Sequence, residues 1–122
     1  MEVSEAHLRY LLAIYDLMKE KSDVRVVDMA KRLNVSKPSV TKMLGILMEK
    51  GFLVKEPYSK IRLTDAGLLL AQDHARCVYA LKGRMGCMGL TLTENETWEA
   101  ACLLAAALPE RVRLELINSK GY

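Results

Sequence analysis

The sequence predicts a mainly α fold: helix, helix, tight turn, helix and two-stranded wing, followed by a second helical region. Three observations predict it. Apolar residues recur at helical spacing along most of the chain. Between Arg25 and Gly67 the run RVVDMAKRLNVSKPSVTKMLGILMEKGFLVKEPYSKIRLTDAG passes from that spacing to two short β-prone stretches. Each passage carries its own boundary signal: a hydroxyl cap, a proline or a glycine.

Ser4 or Glu5 opens a first helix running to about Lys21. Leu8, Leu11, Leu12, Ile14, Tyr15 and Met18 give it a wide apolar face, so it packs against more than one neighbour. Ser22 and Asp23 break it. Val26, Val27, Met29, Ala30 and Leu33 form the apolar face of a short second helix, and Asn34-Val35 make a tight turn. Ser36 offers an N-cap oxygen and Pro38 sits in the first turn, where a missing N–H costs nothing. The third helix turns Val40, Met43, Leu44 and Leu47 inward and leaves Lys37, Ser39, Thr41, Lys42 and Gly45 outside; Gly51 ends it. FLVKE and KIRLT then read as strands around the turn Pro57-Tyr58-Ser59. Residues 1–63 are therefore expected to form a winged helix-turn-helix, three helices plus a two-stranded wing.

Residues 64–122 are expected to form a helical dimerisation domain. Thr64 or Asp65 caps a long helix to about Met85, with Leu68, Leu69, Leu70, Ala71, Val78 and Leu81 inside. Glycines 83, 86 and 89 mark a loose turn. Thr93 and Glu96 have capping-box spacing and start a very apolar helix to about Leu108. Pro109 stops it and opens a short helix, Glu110 to about Asn118, after which Ser119–Tyr122 fray. Small and apolar residues on nearly all sides of 100–107 demand burial, and a second copy of the segment 93–118 is the expected partner. A monomer whose extra helices cover the back of its own winged half is the alternative.

No run approaches the roughly 18 apolar residues of a membrane span. The opening MEVSEAHLRY has no basic stretch leading into an apolar one, so no secretory signal is expected. Cys77, Cys87 and Cys102 are odd in number and unevenly spaced, which fits a reduced cytoplasm rather than a disulfide scaffold. Residues 1–63 carry 12 Lys and Arg against 8 Asp and Glu, whereas residues 64–122 carry 6 against 7. The basic excess lies in the half with the helix-turn-helix, as a phosphate-binding surface requires. There is no glycine-rich phosphate loop, no Ser/His/Asp order and no close carboxylate pair, so an enzyme is not expected.

A helix presenting small, hydroxyl and cationic side chains suits the major groove of double-stranded DNA. The candidate contacts are Lys37, Pro38, Ser39, Thr41 and Lys42, with Ser36 and Lys60 on phosphates. Arg62 and Tyr58 are ambiguous.

Three segments, YLLAIYDL (Tyr10–Leu17), VVDMAKRLNVSKPSVTKML (Val26–Leu44) and LTDAG (Leu63–Gly67), resemble the diphtheria toxin repressor and manganese transport regulator family of bacterial metal-dependent repressors. The resemblance covers roughly Ser4 to Leu108. It implies a cytoplasmic, dimeric transcriptional repressor bound to a DNA operator and activated by Mn²⁺ or Fe²⁺. The ligand positions it implies fall on Arg9, Leu12, Val78, Cys102, Ala105 and Ala106, where Cys102 alone keeps a donor atom. Such ions need several oxygen or nitrogen donors. No cofactor is therefore expected. A substituted, soft metal site from His74, Cys77 and Cys102 is an alternative; buried cysteines with an exposed His74 is the simpler expectation. His7 has no evident partner. Rival functions are a winged-helix regulator responding to zinc, to thiol oxidation at Cys102 or to a small ligand, and a protein–protein module without DNA affinity.

Overall fold

The computed structural model describes residues 3–118, and for Ser59 the backbone alone. The expected fraying of Ser119–Tyr122 lies outside the described residues. The element order is α1 (Glu5–Glu20), α2 (Val26–Leu33), α3 (Lys37–Glu49), β1 (Leu53–Glu56), β2 (Lys60–Leu63), α4 (Asp65–Met85), α5 (Glu94–Ala107) and α6 (Glu110–Asn118). Short 3-10 turns cover Pro57–Ser59 and Gly86–Met88. This is the winged helix-turn-helix followed by a helical region that the sequence predicts.

The caps are where the sequence places them. The Ser36 hydroxyl accepts the Ser39 N–H at 3.2 Å, and the Thr64 hydroxyl accepts the Gly67 N–H at 3.2 Å. Thr93 and Glu96 form a reciprocal box, with bonds of 3.1 Å and 2.8 Å. Each such cap contributes about 1 kcal/mol. His7 gains a partner that the sequence did not show: its Nδ1 accepts the Ser4 N–H at 3.1 Å, while Ser4 Oγ accepts the His7 N–H at 3.2 Å. The tight turn after α2 is a Schellman motif. Asn34 is left-handed, with φ 56°, and the Val35 N–H reaches the Ala30 carbonyl at 3.1 Å.

The wing is antiparallel, with Leu53 opposite Leu63 and Glu56 opposite Lys60. Its second strand also pairs with the α1–α2 connection, where the Ile61 N–H donates to the Val24 carbonyl at 2.9 Å. At the base of the wing, a Cβ on Gly67 would lie 1.9 Å from the Phe52 carbonyl oxygen, so only glycine lets α4 begin there.

α1 packs against α2, α4 and α5, as its wide face predicts. Its Leu11, Leu12, Ala13 and Ile14 are wholly buried, together with Val40, Leu44 and Leu47 of α3 and Val78, Ala101, Cys102 and Ala105 of the helical region. Four expectations shift. Tyr10 and Leu17 are buried while Met18 is exposed, because α1's buried arc runs through 10, 14 and 17. Val27 stands outward at the start of α2. Leu69 is exposed, since α4 packs through Gly67, Ala71, His74, Ala75, Val78 and Leu81, which leaves position 69 on the far side. Gly83 stays inside α4, and the turn begins only at Gly86.

Candidate nucleic-acid interface

α3 is amphipathic in the sense a DNA reader requires. Val40, Leu44 and Leu47 anchor it, and Lys37, Pro38, Ser39, Thr41 and Lys42 stand exposed on its other side. Among the described residues neither Lys37 nor Lys42 forms an ion pair, so both charges face solvent. The Ser36 hydroxyl is engaged twice, accepting from the Ser39 N–H and donating to Ser39 Oγ at 2.9 Å, which orients both hydroxyls at the start of the helix.

The wing differs from the sequence expectation in its details. Lys60 lies 3.1 Å from the Asp23 carboxylate, and Arg62 pairs with Glu56 at 3.3 Å. Local anions thus pair with both cations of the second wing strand, Lys60 among them. Tyr58, at the tip, is 84% exposed with φ 66°. Its carbonyl accepts from the Arg25 guanidinium, which ties the wing tip to the α1–α2 connection. Lys55 on β1 is exposed and forms no ion pair among the described residues, a cation the sequence reading did not single out. No short-range pattern marks it; its exposure follows from the strand register.

The positions that the resemblance marks as metal ligands fall in and beside the core. Leu12, Val78, Cys102 and Ala105 are wholly buried in one apolar cluster. At its edge the Arg9 and Glu5 side chains meet at 3.4 Å, too poorly aligned for a hydrogen bond. Burial, with the Glu5 charge adding to it, pushes the Cys102 thiol up to about 12, far from the low-pKa thiolates of reactive cysteines. Apolar walls, a buried thiol and a guanidinium do not fit Mn²⁺ or Fe²⁺.

The substituted site does not assemble either: the described residues hold no group of three or more His, Cys, Asp and Glu side chains able to bind a metal. His74, expected to be exposed if not a ligand, is 1% exposed. Neither ring nitrogen has a hydrogen-bond partner among the described residues, and burial, together with the Arg113 charge, lowers its pKa to about 4. It is a neutral imidazole inside an apolar face of α4. Of the three cysteines, Cys87 alone is exposed.

Comparison with known proteins bears on the winged fold. The profile of the iron dependent repressor family's N-terminal DNA binding domain matches residues 2–61. The uncharacterized HTH-type transcriptional regulator MJ0568 of Methanocaldococcus jannaschii is 31% identical over 118 residues, 91% of this chain and 90% of that protein. The transcriptional regulator MntR of Salmonella typhimurium is 44% identical over 77 residues, 59% of this chain and 49% of MntR. The chain belongs to the diphtheria toxin repressor and manganese transport regulator family. The solved structure of the manganese regulator SloR shares the fold, with a TM-score of 0.75 at 23% identity over 95% of this chain and 53% of SloR. The chain spans about half the length of the MntR and SloR proteins it matches. These relatives are named as regulators rather than enzymes. The family's DNA-binding profile covers α1, α2, α3, β1 and the start of β2, including the helix that carries Lys37 to Lys42.

Proposed function

We propose that this protein is a dimeric, sequence-specific DNA-binding transcriptional regulator, a cytoplasmic repressor, that binds its operator without Mn²⁺ or Fe²⁺. The observation that carries the reading is the outward face of α3, with Lys37 and Lys42 unpaired among the described residues beside Ser39 and Thr41. Lysines there neutralise phosphates, and the hydroxyls reach base edges or phosphates. Dimerisation follows from the other end of the molecule. Leu103 and Leu104 on α5 and Leu114 on α6 are 53%, 45% and 52% exposed, within the segment 93–118. A second copy of that segment buries them and places two reading helices about one helical turn of DNA apart.

Metal independence follows from linkage. A metal raises DNA affinity only by binding the competent conformation better than the other. The side chains at positions 9, 12, 78, 102, 105 and 106 supply no donor set for that difference. Among the described residues no helix is long and apolar enough to cross a membrane. The test is selection of bound duplexes from a random pool in chelator, then with Mn²⁺, Fe²⁺, Zn²⁺ or a thiol oxidant. Enrichment of one sequence in chelator is expected. Failure to enrich any duplex under every condition refutes the reading.

A further inference from the structure

Asp16 stands where four helices meet. Its carboxylate accepts the Trp98 indole N–H at 3.2 Å from α5 and the Tyr79 hydroxyl from α4. The Arg32 guanidinium of α2 lies 3.7 Å away. Arg32 also stacks over the Trp98 ring, with its central carbon 4.2 Å from the ring centroid, and its Nη1 is 3.5 Å from the Asn95 carbonyl oxygen. Trp98 is buried, and the Arg32 and Asp16 side chains are mostly so. A cavity of about 550 Å³, lined by Asp16, Lys19, Arg32, Tyr79, Lys82 and Trp98 among others, opens beside them. Packing therefore does not hold the cluster on that side; its polar contacts do.

The position of this cluster gives it leverage over the reading helix. Arg32 is the next-to-last residue of α2, and the Schellman turn at Asn34 makes α2 and α3 one corner. Whatever orients Arg32 orients α3. Besides this cluster, Lys19 on α1 donates to the Tyr79 hydroxyl at 3.3 Å and Lys21, the C-cap of α1, pairs with Asp28 of α2 at 2.7 Å, both exposed. The buried contacts of α1 are otherwise made by Leu11, Leu12, Ala13 and Ile14, and apolar faces fix distance better than angle. A carboxylate held by donors from two helices, beside a guanidinium from a third, is directional.

We infer that Asp16, Arg32 and Trp98, with Tyr79, form a clamp that sets the pose of the reading helix against the helical region, so that its members are positioning residues for operator recognition. The clamp is built wholly from this chain and requires no ion. The inference rests on the proposed DNA binding, and the experiment separates the two.

Trp98 is the sole tryptophan of the chain, so its emission reports the clamp directly in the intact protein. Asp16→Asn and Arg32→Met are compared with wild type for affinity to the selected operator and to unrelated duplex, for sedimentation and for thermal unfolding. Both variants are expected to shift Trp98 emission and to lose about tenfold or more in operator affinity. Affinity for unrelated duplex and the sedimentation coefficient should stay as in wild type. The double variant should cost little more than the worse single one, as members of one unit do. Arg32→Lys keeps the charge but not the planar stack, and should fall between wild type and Arg32→Met; it also serves where Arg32→Met fails to fold. Variants that shift Trp98 emission yet bind operator as wild type does overturn the clamp alone. A wild-type protein that binds no duplex overturns the DNA-binding reading, and the clamp with it.

Discussion

α3 and α5 are both buried along one side and exposed along the other, but they expose opposite chemistry. α3 shows solvent Lys37, Ser39, Thr41 and Lys42 above Val40 and Leu44. α5 shows solvent Leu103 and Leu104 above Ala101, Cys102 and Ala105. A polar face over an apolar one is an ordinary amphipathic helix, stable in water as it stands. Leucines over alanines are not, since their exposure forfeits roughly 25 cal/mol for each Å² of apolar surface left wet. Under the proposed function this contrast gives the two regions different partners. The winged region would meet a polyanion, to which charge contributes affinity and hydroxyls contribute discrimination. The helical region would meet another apolar surface, a second copy of itself being the simplest one.

The largest effect that breaks this contrast is a charge in the leucine face. Leu103→Asp with Leu104→Asp should abolish the dimer, because burying unpaired carboxylates costs several kcal/mol. Sedimentation at micromolar concentration reads it, and a double variant that sediments like wild type refutes the assignment of that face.

Next comes the buried imidazole of the helical region. His74 has a folded pKa of about 4 against 6.5 unfolded. Below pH 6.5 the unfolded chain binds the extra proton and the folded chain does not. Stability is therefore fully present above pH 6.5 and falls as pH drops toward 4, by a total on the order of 3 kcal/mol. His74→Leu should flatten this part of the thermal-stability profile. An equally steep profile in His74→Leu places the acid sensitivity elsewhere.

On the winged side the expected change is smaller. Lys37→Ala with Lys42→Ala should weaken binding to every duplex by roughly 1–3 kcal/mol, and should lower the salt slope by about one for each phosphate left without its lysine. Weakening on the operator alone would mean that these lysines read bases. The smallest effect sharpens the comparison by its absence. Mn²⁺ or Fe²⁺ added after chelation should change operator affinity by less than about tenfold, or 1.4 kcal/mol. A larger gain would reveal ligands outside the positions marked by the resemblance.

Much of the winged region was legible in the sequence because its signals are local. Asn34, Ser36 and Pro38 each act within a few residues and stand in the structure as a turn, a cap and a first-turn proline, as Thr64 and Thr93 stand as caps in the helical region. The periodicity of α1 was legible too, but its phase was off by one position at Met18, because Leu17 and Met18 both border the apolar arc. Lys60 illustrates the limit. As a sequence position it is a wing cation available to phosphate, but its neutraliser is Asp23, thirty-seven residues earlier, brought close by the Val24–Ile61 pairing. His74 illustrates it again, since only the packing of α4 decides whether an imidazole in a polar stretch of sequence is wet or dry.

By itself, then, the sequence determined the element order, the caps, the exposed polar face of α3 and the residue types at the positions the resemblance marks for metal, all of which depend on chemistry within one or two helical turns. Tertiary structure alone decided that Cys102 is sealed in the core, that His74 is buried with no hydrogen-bond partner among the described residues, and that Asp16 gathers Arg32, Tyr79 and Trp98 from three other helices. The reason is the range over which the interactions act. Capping and amphipathicity join residues three or four apart and leave a pattern, whereas Asp16 and Trp98 lie eighty-two positions apart and meet only because α1 and α5 share a core.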